Sequence, residues 1–223
     1  MISDQILEFL LNLKEPRVTD SKVEVLNPFL NPETKRVVAA FYNKYYSDEN
    51  KRLAFIGINP GRYGSGLTGI GFTDPVNLAV KCQIENALDQ KSELSSRFVY
   101  EVIDAFGGLE AFYNHIYITS VVPLGFTRNG INLNYYDDKE LENKLRPYIK
   151  AQIKKQLPFL RRDVAFCIGK GKNQKFLEKL NREERYFKKL EVLPHPRWVM
   201  QYKLKQKESF IQEFISELSK PLL

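Results

Sequence analysis

Apolar positions along the chain switch between two spacings, and the switches divide it into elements. Ile6, Leu7, Leu10, Leu11 and Leu13 recur at helical spacing and predict an amphipathic helix over Ser3–Leu13, ended by Pro16. Val23 to Pro28 reads as extended, because Pro28 and Pro32 hold the chain off helix. Helical spacing returns from Glu33 to Tyr46 through Val37, Val38, Phe41 and Tyr45. Arg52 to Ile58 is a short apolar run suited to a strand buried on both faces of a parallel sheet. Asp74-Pro75, a cap followed by proline at the first helical position, predicts a helix running to about Leu88. A second helix follows from about Ser95 to Phe106, stopped by Gly107-Gly108, and a short one covers Leu109 to Asn114.

The β-branched stretch His115 to Val122 predicts a second strand ending before Pro123-Leu124-Gly125-Phe126. Asn129-Gly130 signals a turn, and Asn132 to Tyr136 reads as loop. From about Asp138 to Leu157 a long helix sets Leu141, Leu145, Ile149 and Ile153 on one side, with Lys144, Arg146, Lys150, Lys154 and Lys155 as a solvated basic face. Asp163 to Ile168 and Leu190 to Leu193 are the third and fourth strands, with a helix between them and an amphipathic helix from about Lys203 to Leu218 after them. Strands alternating with helices predict a three-layer α/β/α fold with a central, mostly parallel four-stranded sheet, in one domain over residues 1–223.

That topology directs attention to four strand ends: Asn59, Ser120, the Gly169 loop and His195. In open α/β sheets ligands bind where loops leave the carboxyl ends of strands. The first of these loops is unusual, with glycines at 57, 61, 64, 66, 69 and 71, a stiffening Pro60 and Phe72 at its far end. An ordinary strand-to-helix connection needs one or two glycines; this loop is suited to close backbone approach to something flat.

Charge adds a partner. Lys144 to Lys207 holds 19 basic and 5 acidic residues, against 15 basic and 22 acidic in the remainder. Such asymmetry suits a polyanion, nucleic acid being the commonest, although charge alone does not separate this from lysine-rich solubility on helix faces. Lys170 and Lys172, in Gly169-Lys170-Gly171-Lys172-Asn173, could grip a backbone phosphate at a helix N-terminus, but the glycine spacing of a P-loop is missing. Cys82 and Cys167 have no spacing that supports a disulfide framework, a zinc site or an iron–sulfur site. With Asp4 and Glu8 in the N-terminal apolar stretch and no apolar run near the ~20 residues of a membrane span, the expectation is a soluble intracellular protein.

The motifs resemble those of the uracil-DNA glycosylase superfamily and, within it, the single-strand-selective monofunctional enzymes and a bacterial side branch of them. The family's glycine-Met-Asn-Pro-Gly loop, followed by Thr-Gly and a stacking Phe, is matched by Gly57-Ile58-Asn59-Pro60-Gly61, Thr68-Gly69 and Phe72. The second motif, His-Pro-Ser-Pro-Arg, is matched by the shorter His195-Pro196-Arg197. The resemblance implies catalytic roles for Asn59, which would orient a water, and His195, which would donate to the departing base. It implies a base pocket of Gly57, Ile58, Gly61, Phe72 and Ser120, with Phe72 stacking on the flipped ring. Gly61 replaces the bulky Tyr of thymine-excluding enzymes, so 5-substituted uracils need not be excluded.

The chain departs from the family at three points. Ser120 stands where the family reads the uracil edge with an Asn; a hydroxyl is one rotatable donor-acceptor, so discrimination should loosen toward bases such as xanthine. The shortened second motif leaves Arg197, Trp198 and Met200 as candidates for the wedge that holds a flipped state. Arg62 takes a position the family gives to Pro, where it could reach a phosphate or guard the pocket.

The expectation is a monofunctional DNA glycosylase of base excision repair, without metal or other cofactor, acting on single- or double-stranded DNA as a monomer, in the cytoplasm at the nucleoid or in a nucleus. No lysine falls on a motif position, which argues against a Schiff-base lyase. A different class, a relative that binds extruded or single-stranded bases without cutting, remains the alternative. A small-molecule hydrolase lacks its Gly-x-Ser-x-Gly turn.

Overall fold

A computed structural model describes residues 1–223. In chain order the elements are α1 (Ile2–Leu11), β1 (Val23–Leu26), α2 (Pro32–Tyr45), β2 (Arg52–Gly57), α3 (Ser65–Thr68), α4 (Pro75–Val80), α5 (Leu94–Ala105), α6 (Leu109–Tyr113) and β3 (Ile116–Ser120). They continue with β4 (Gly125–Arg128), β5 (Ile131–Asn132), α7 (Lys139–Gln156), β6 (Leu160–Ile168), α8 (Lys172–Glu184), β7 (Lys189–Leu193), α9 (Pro196–Tyr202) and α10 (Lys207–Ser219).

The four expected strands form one sheet in the order β3-β2-β6-β7, with every neighbouring pair parallel. All six residues of β2 are buried, as its unbroken apolar run requires of a central strand. On one face α5 and α10 meet the sheet where Phe98 and Phe55 pack against Phe214. On the other, Tyr42 and Tyr46 of the α2 region and Phe159 pack against Tyr117, and Phe9 of α1 packs on Phe159. Arg52 opens β2 fully buried, satisfied by donating to the Tyr113 carbonyl and by an ion pair with Asp48, each at 2.7 Å.

Local structure departs from the sequence expectation in four places. The helix expected to reach Leu88 ends at Val80: the Asn77 carbonyl accepts both the Lys81 and Cys82 N–H groups, and Gln83 turns the chain away with φ +56°. Residues beyond it are held by side chains instead, Arg36 donating to the Glu85 carbonyl and Glu33 accepting from the Ala87 N–H. A second, antiparallel sheet in the order β1-β4-β5 pairs Val23–Leu26 with Gly125–Arg128, a contact between segments too far apart in sequence for periodicity to show. Its hairpin turn is Asn129-Gly130, and the expected loop begins as β5.

The third departure is α9, an additional short helix that the His195 ring caps at Pro196, ahead of the expected C-terminal helix, which is α10. The fourth concerns the basic face of α7. Lys150 and Lys154 reach Glu184 at 2.7 and 2.9 Å, and Arg146 pairs with Glu183. These cations tie α7 to α8, so this part of the basic bias is a helix–helix contact and not a free anion surface.

Candidate active site

Register places the first two strand ends side by side. Gly57 of β2 is opposite Ser120 of β3, and the ladder continues past both, with the Val121 N–H donating to the Gly57 carbonyl at 3.0 Å and the Val122 N–H to the Ile58 carbonyl at 3.2 Å. The Gly169 N–H donates to the Leu193 carbonyl at 2.8 Å, which brings the third loop beside His195. Above these ends lies a cleft of about 620 Å³. Ile58, Asn59, Gly61, Arg62, Phe72, Ser120, His195, Arg197 and Trp198 all line it, so residues from both motifs meet in one site.

Gly57, Lys170 and Lys172 do not line the cleft. Gly57 acts by having no side chain: a Cβ there would lie 3.2 Å from the Phe72 ring and 3.5 Å from the Ser120 hydroxyl. Phe72 itself has φ +48°, a left-handed conformation uncommon for a bulky residue, and meets Phe55 and His195 edge-on at 5.9 and 5.8 Å. Its ring is thereby held upright beside the imidazole. Lys170 and Lys172 are exposed on the neighbouring loop, with the Lys172 ammonium 5.8 Å from the ring centre of Tyr136, a cleft residue.

The Asn59 amide is held at both ends. Its Oδ1 accepts from the Tyr135 N–H at 3.0 Å and its Nδ2 donates to the Leu133 carbonyl at 3.2 Å. An amide oxygen has two lone pairs, so one remains for a water. Tyr135 anchors the clamp: its buried hydroxyl donates to Asn173 Oδ1 at 2.9 Å, and Asn173 donates onward to the Ile168 carbonyl at the end of β6.

His195 is fixed in one tautomer. Its Nδ1 accepts the Arg197 N–H at 3.2 Å, the cap of α9, which leaves Nε2 to carry the ring proton. Burial, helped by the nearby Arg197 guanidinium, pushes its pKa down to about 4, so the imidazole is neutral near pH 7 and a donor through Nε2.

Several residues in or behind the cleft carry no signal in the sequence. Tyr135 acts through its backbone, which no motif encodes. Glu93 lies at the cleft with its carboxyl against the glycine loop, where a Cβ on Gly64 would collide with it. Burial raises the Glu93 pKa, opposed by Arg197 and reinforced by Asp74. Ile131 and Tyr202 stand exposed at the rim. Arg62 is turned to the hairpin: its N–H donates to Asn132 Oδ1 at 3.1 Å and its guanidinium to the Gly130 carbonyl, while stacking 4.4 Å over Tyr63. No three His, Cys, Asp or Glu side chains gather into a group that could hold a metal ion, and no helix is long and apolar enough to cross a membrane.

Parallel strand ends, an amide and a neutral imidazole thus meet around one cleft, and the family model of the uracil DNA glycosylase superfamily matches residues 44–219. The chain belongs to that superfamily and is a DNA glycosylase, a hydrolase of N-glycosyl bonds. Among solved structures it is similar to wild-type Pedobacter heparinus SMUG2, with 44% identity, a TM-score of 0.94, and coverage of 98% of this chain and 97% of that one. No curated protein matches.

Proposed function

We propose that this chain, as one domain, flips deaminated bases out of DNA and removes them by water attack, taking uracil and also bases that share its imide edge, such as xanthine, or carry a group at C5. The observation that carries the reading is the clamped Asn59 amide in the same cleft as a neutral His195 with its proton on Nε2. Asn59 holds the water with its free lone pair; it orients and does not deprotonate. His195 donates from Nε2 to the base carbonyl on which negative charge grows as the bond to the sugar breaks. A neutral donor suits a departing anion that must be stabilised without being fully protonated. The positive charge that develops on the sugar is met by the phosphates of the DNA itself.

Phe72 supplies the stacking face, worth roughly 1–3 kcal/mol per base. The wider substrate range is supported by Gly61, which puts no side chain into the cleft, and by Ser120, whose single hydroxyl can rotate to donate or accept. The test is excision from oligonucleotides carrying uracil, 5-hydroxymethyluracil, xanthine or hypoxanthine. Abasic product from uracil and xanthine, with Ser120→Asn shifting the ratio toward uracil, supports the reading. A wild-type chain that releases uracil alone, or an unchanged ratio in the variant, removes Ser120 from base choice.

A further inference from the structure

The hairpin at the rim of the cleft presents an apolar side chain mostly to solvent. Asn129 and Gly130, with φ +52° and +72°, have the paired positive values of a type I′ turn, the tightest connection between two antiparallel strands. Ile131 follows, opposite Arg128 in the ladder, 72% exposed and at the cleft. A lone exposed isoleucine is ordinary on a protein surface. This one follows a tight turn and lies at the cleft. Arg62 braces both sides of it, through the Gly130 carbonyl and the Asn132 side chain. Two and four residues further on, the same segment supplies the Leu133 and Tyr135 backbone groups that clamp Asn59. Position 131 is therefore fixed relative to the amide that addresses the flipped nucleoside.

Taking a nucleotide out of a duplex leaves a gap in the base stack, and proteins fill such gaps with apolar side chains. Of the second motif's three candidates, Met200 is buried, Arg197 is an exposed cation at the cleft, better suited to a phosphate than to an apolar gap, and Trp198, 41% exposed, lies edge-on to Phe210 at 5.8 Å with the Lys203 ammonium over its ring. We propose that Ile131 is the wedge, entering the stack of duplex DNA from the hairpin at the position the extruded nucleotide has left. The proposal rests on the glycosylase reading of the cleft and deepens it: it assigns how a duplex, as distinct from a single strand, is handled.

The experiment compares the wild-type chain, Ile131→Ala, Ile131→Leu and Trp198→Ala by single-turnover excision of uracil from a single strand and from a U·G duplex. A duplex with 2-aminopurine beside the uracil reports unstacking by its fluorescence. Ile131→Ala should keep the single-strand rate within about twofold, lose tenfold or more on the duplex, and lose the fluorescence rise; Ile131→Leu should recover both. Equal losses on the two substrates, no loss on either, or a duplex-selective loss confined to Trp198→Ala would overturn the assignment. So would a wild-type chain active on single strands alone, since it would need no wedge. A wild-type chain that excises from neither contradicts the proposed function instead, and the fluorescence on binding the duplex then decides the wedge by itself.

Discussion

The Asn59 side chain takes its orientation from Tyr135, 76 positions later, whose backbone N–H donates to the amide oxygen at 3.0 Å. With Nδ2 bound to the Leu133 carbonyl as well, the amide cannot flip without losing both bonds. The orientation that leaves one oxygen lone pair free is thus built into the fold before substrate arrives.

It follows that Asn59→Asp should not improve the enzyme, although a carboxylate is the stronger base. One carboxylate oxygen would replace Nδ2 and face the Leu133 carbonyl, acceptor against acceptor, so the side chain must turn away. We expect at least a tenfold loss in single-turnover rate, and a stability loss of about 1–3 kcal/mol from the unmade bonds. Denaturant melting and excision kinetics read both; an Asp variant as fast as wild type would show that the clamp does not set the orientation.

His195 should titrate near 4, well below the ordinary histidine value of about 6.5. Because its folded pKa is depressed, the unfolded chain binds more protons between these values, and stability falls as pH drops through that window. The contribution lost by pH 4 is on the order of 3 kcal/mol. With two histidines in the chain, ring-proton NMR resolves the titration directly. The imidazole should be in its Nε2–H form at pH 7, and the excision rate should show no inflection from this group near 6.5. A midpoint of 6 or above would contradict the neutral-donor role.

Gly64 faces a carboxyl that can move. Its φ of −104° would suit any residue, and the Glu93 oxygen that a Cβ would meet is the far end of a flexible side chain. Gly64→Ala should therefore turn the Glu93 carboxyl aside and cost less than tenfold in excision rate, and Glu93→Ala in the same chain should remove that cost. A loss of tenfold or more that persists in the double variant would show that the loop carrying Asn59 has been displaced.

The reach of sequence reasoning follows the range of the interactions. β2 was legible because a central parallel strand is apolar throughout, and the loop after it because its glycines and Asn59 sit within a few positions of one another. Ser120 and His195 were reachable as strand ends. Tyr135 was not, since it works through a backbone N–H that any residue but proline could supply. The pairing of β1 with β4 joins residues about a hundred positions apart, and strands of four residues leave little periodicity to read. The helix from Pro75 is shorter than its sequence suggests because its end depends on one carbonyl serving two donors and on Glu33 and Arg36 capturing the following segment. Charge misled in a different way: the cations of α7 were visible, while their partners on α8 required the fold.

The central claim, that Asn59 serves the water and His195 the departing base, is tested most directly by changing the leaving group. Single-turnover excision of uracil and of the more acidic 5-fluorouracil should be measured for the wild-type chain, Asn59→Ala and His195→Ala. A more acidic base needs less help to leave, so 5-fluorouracil should recover much of the loss in His195→Ala and almost none in Asn59→Ala, each variant losing on the order of 10²–10³ on uracil. Equal recovery in both variants, or none in His195→Ala, would contradict this division of labour.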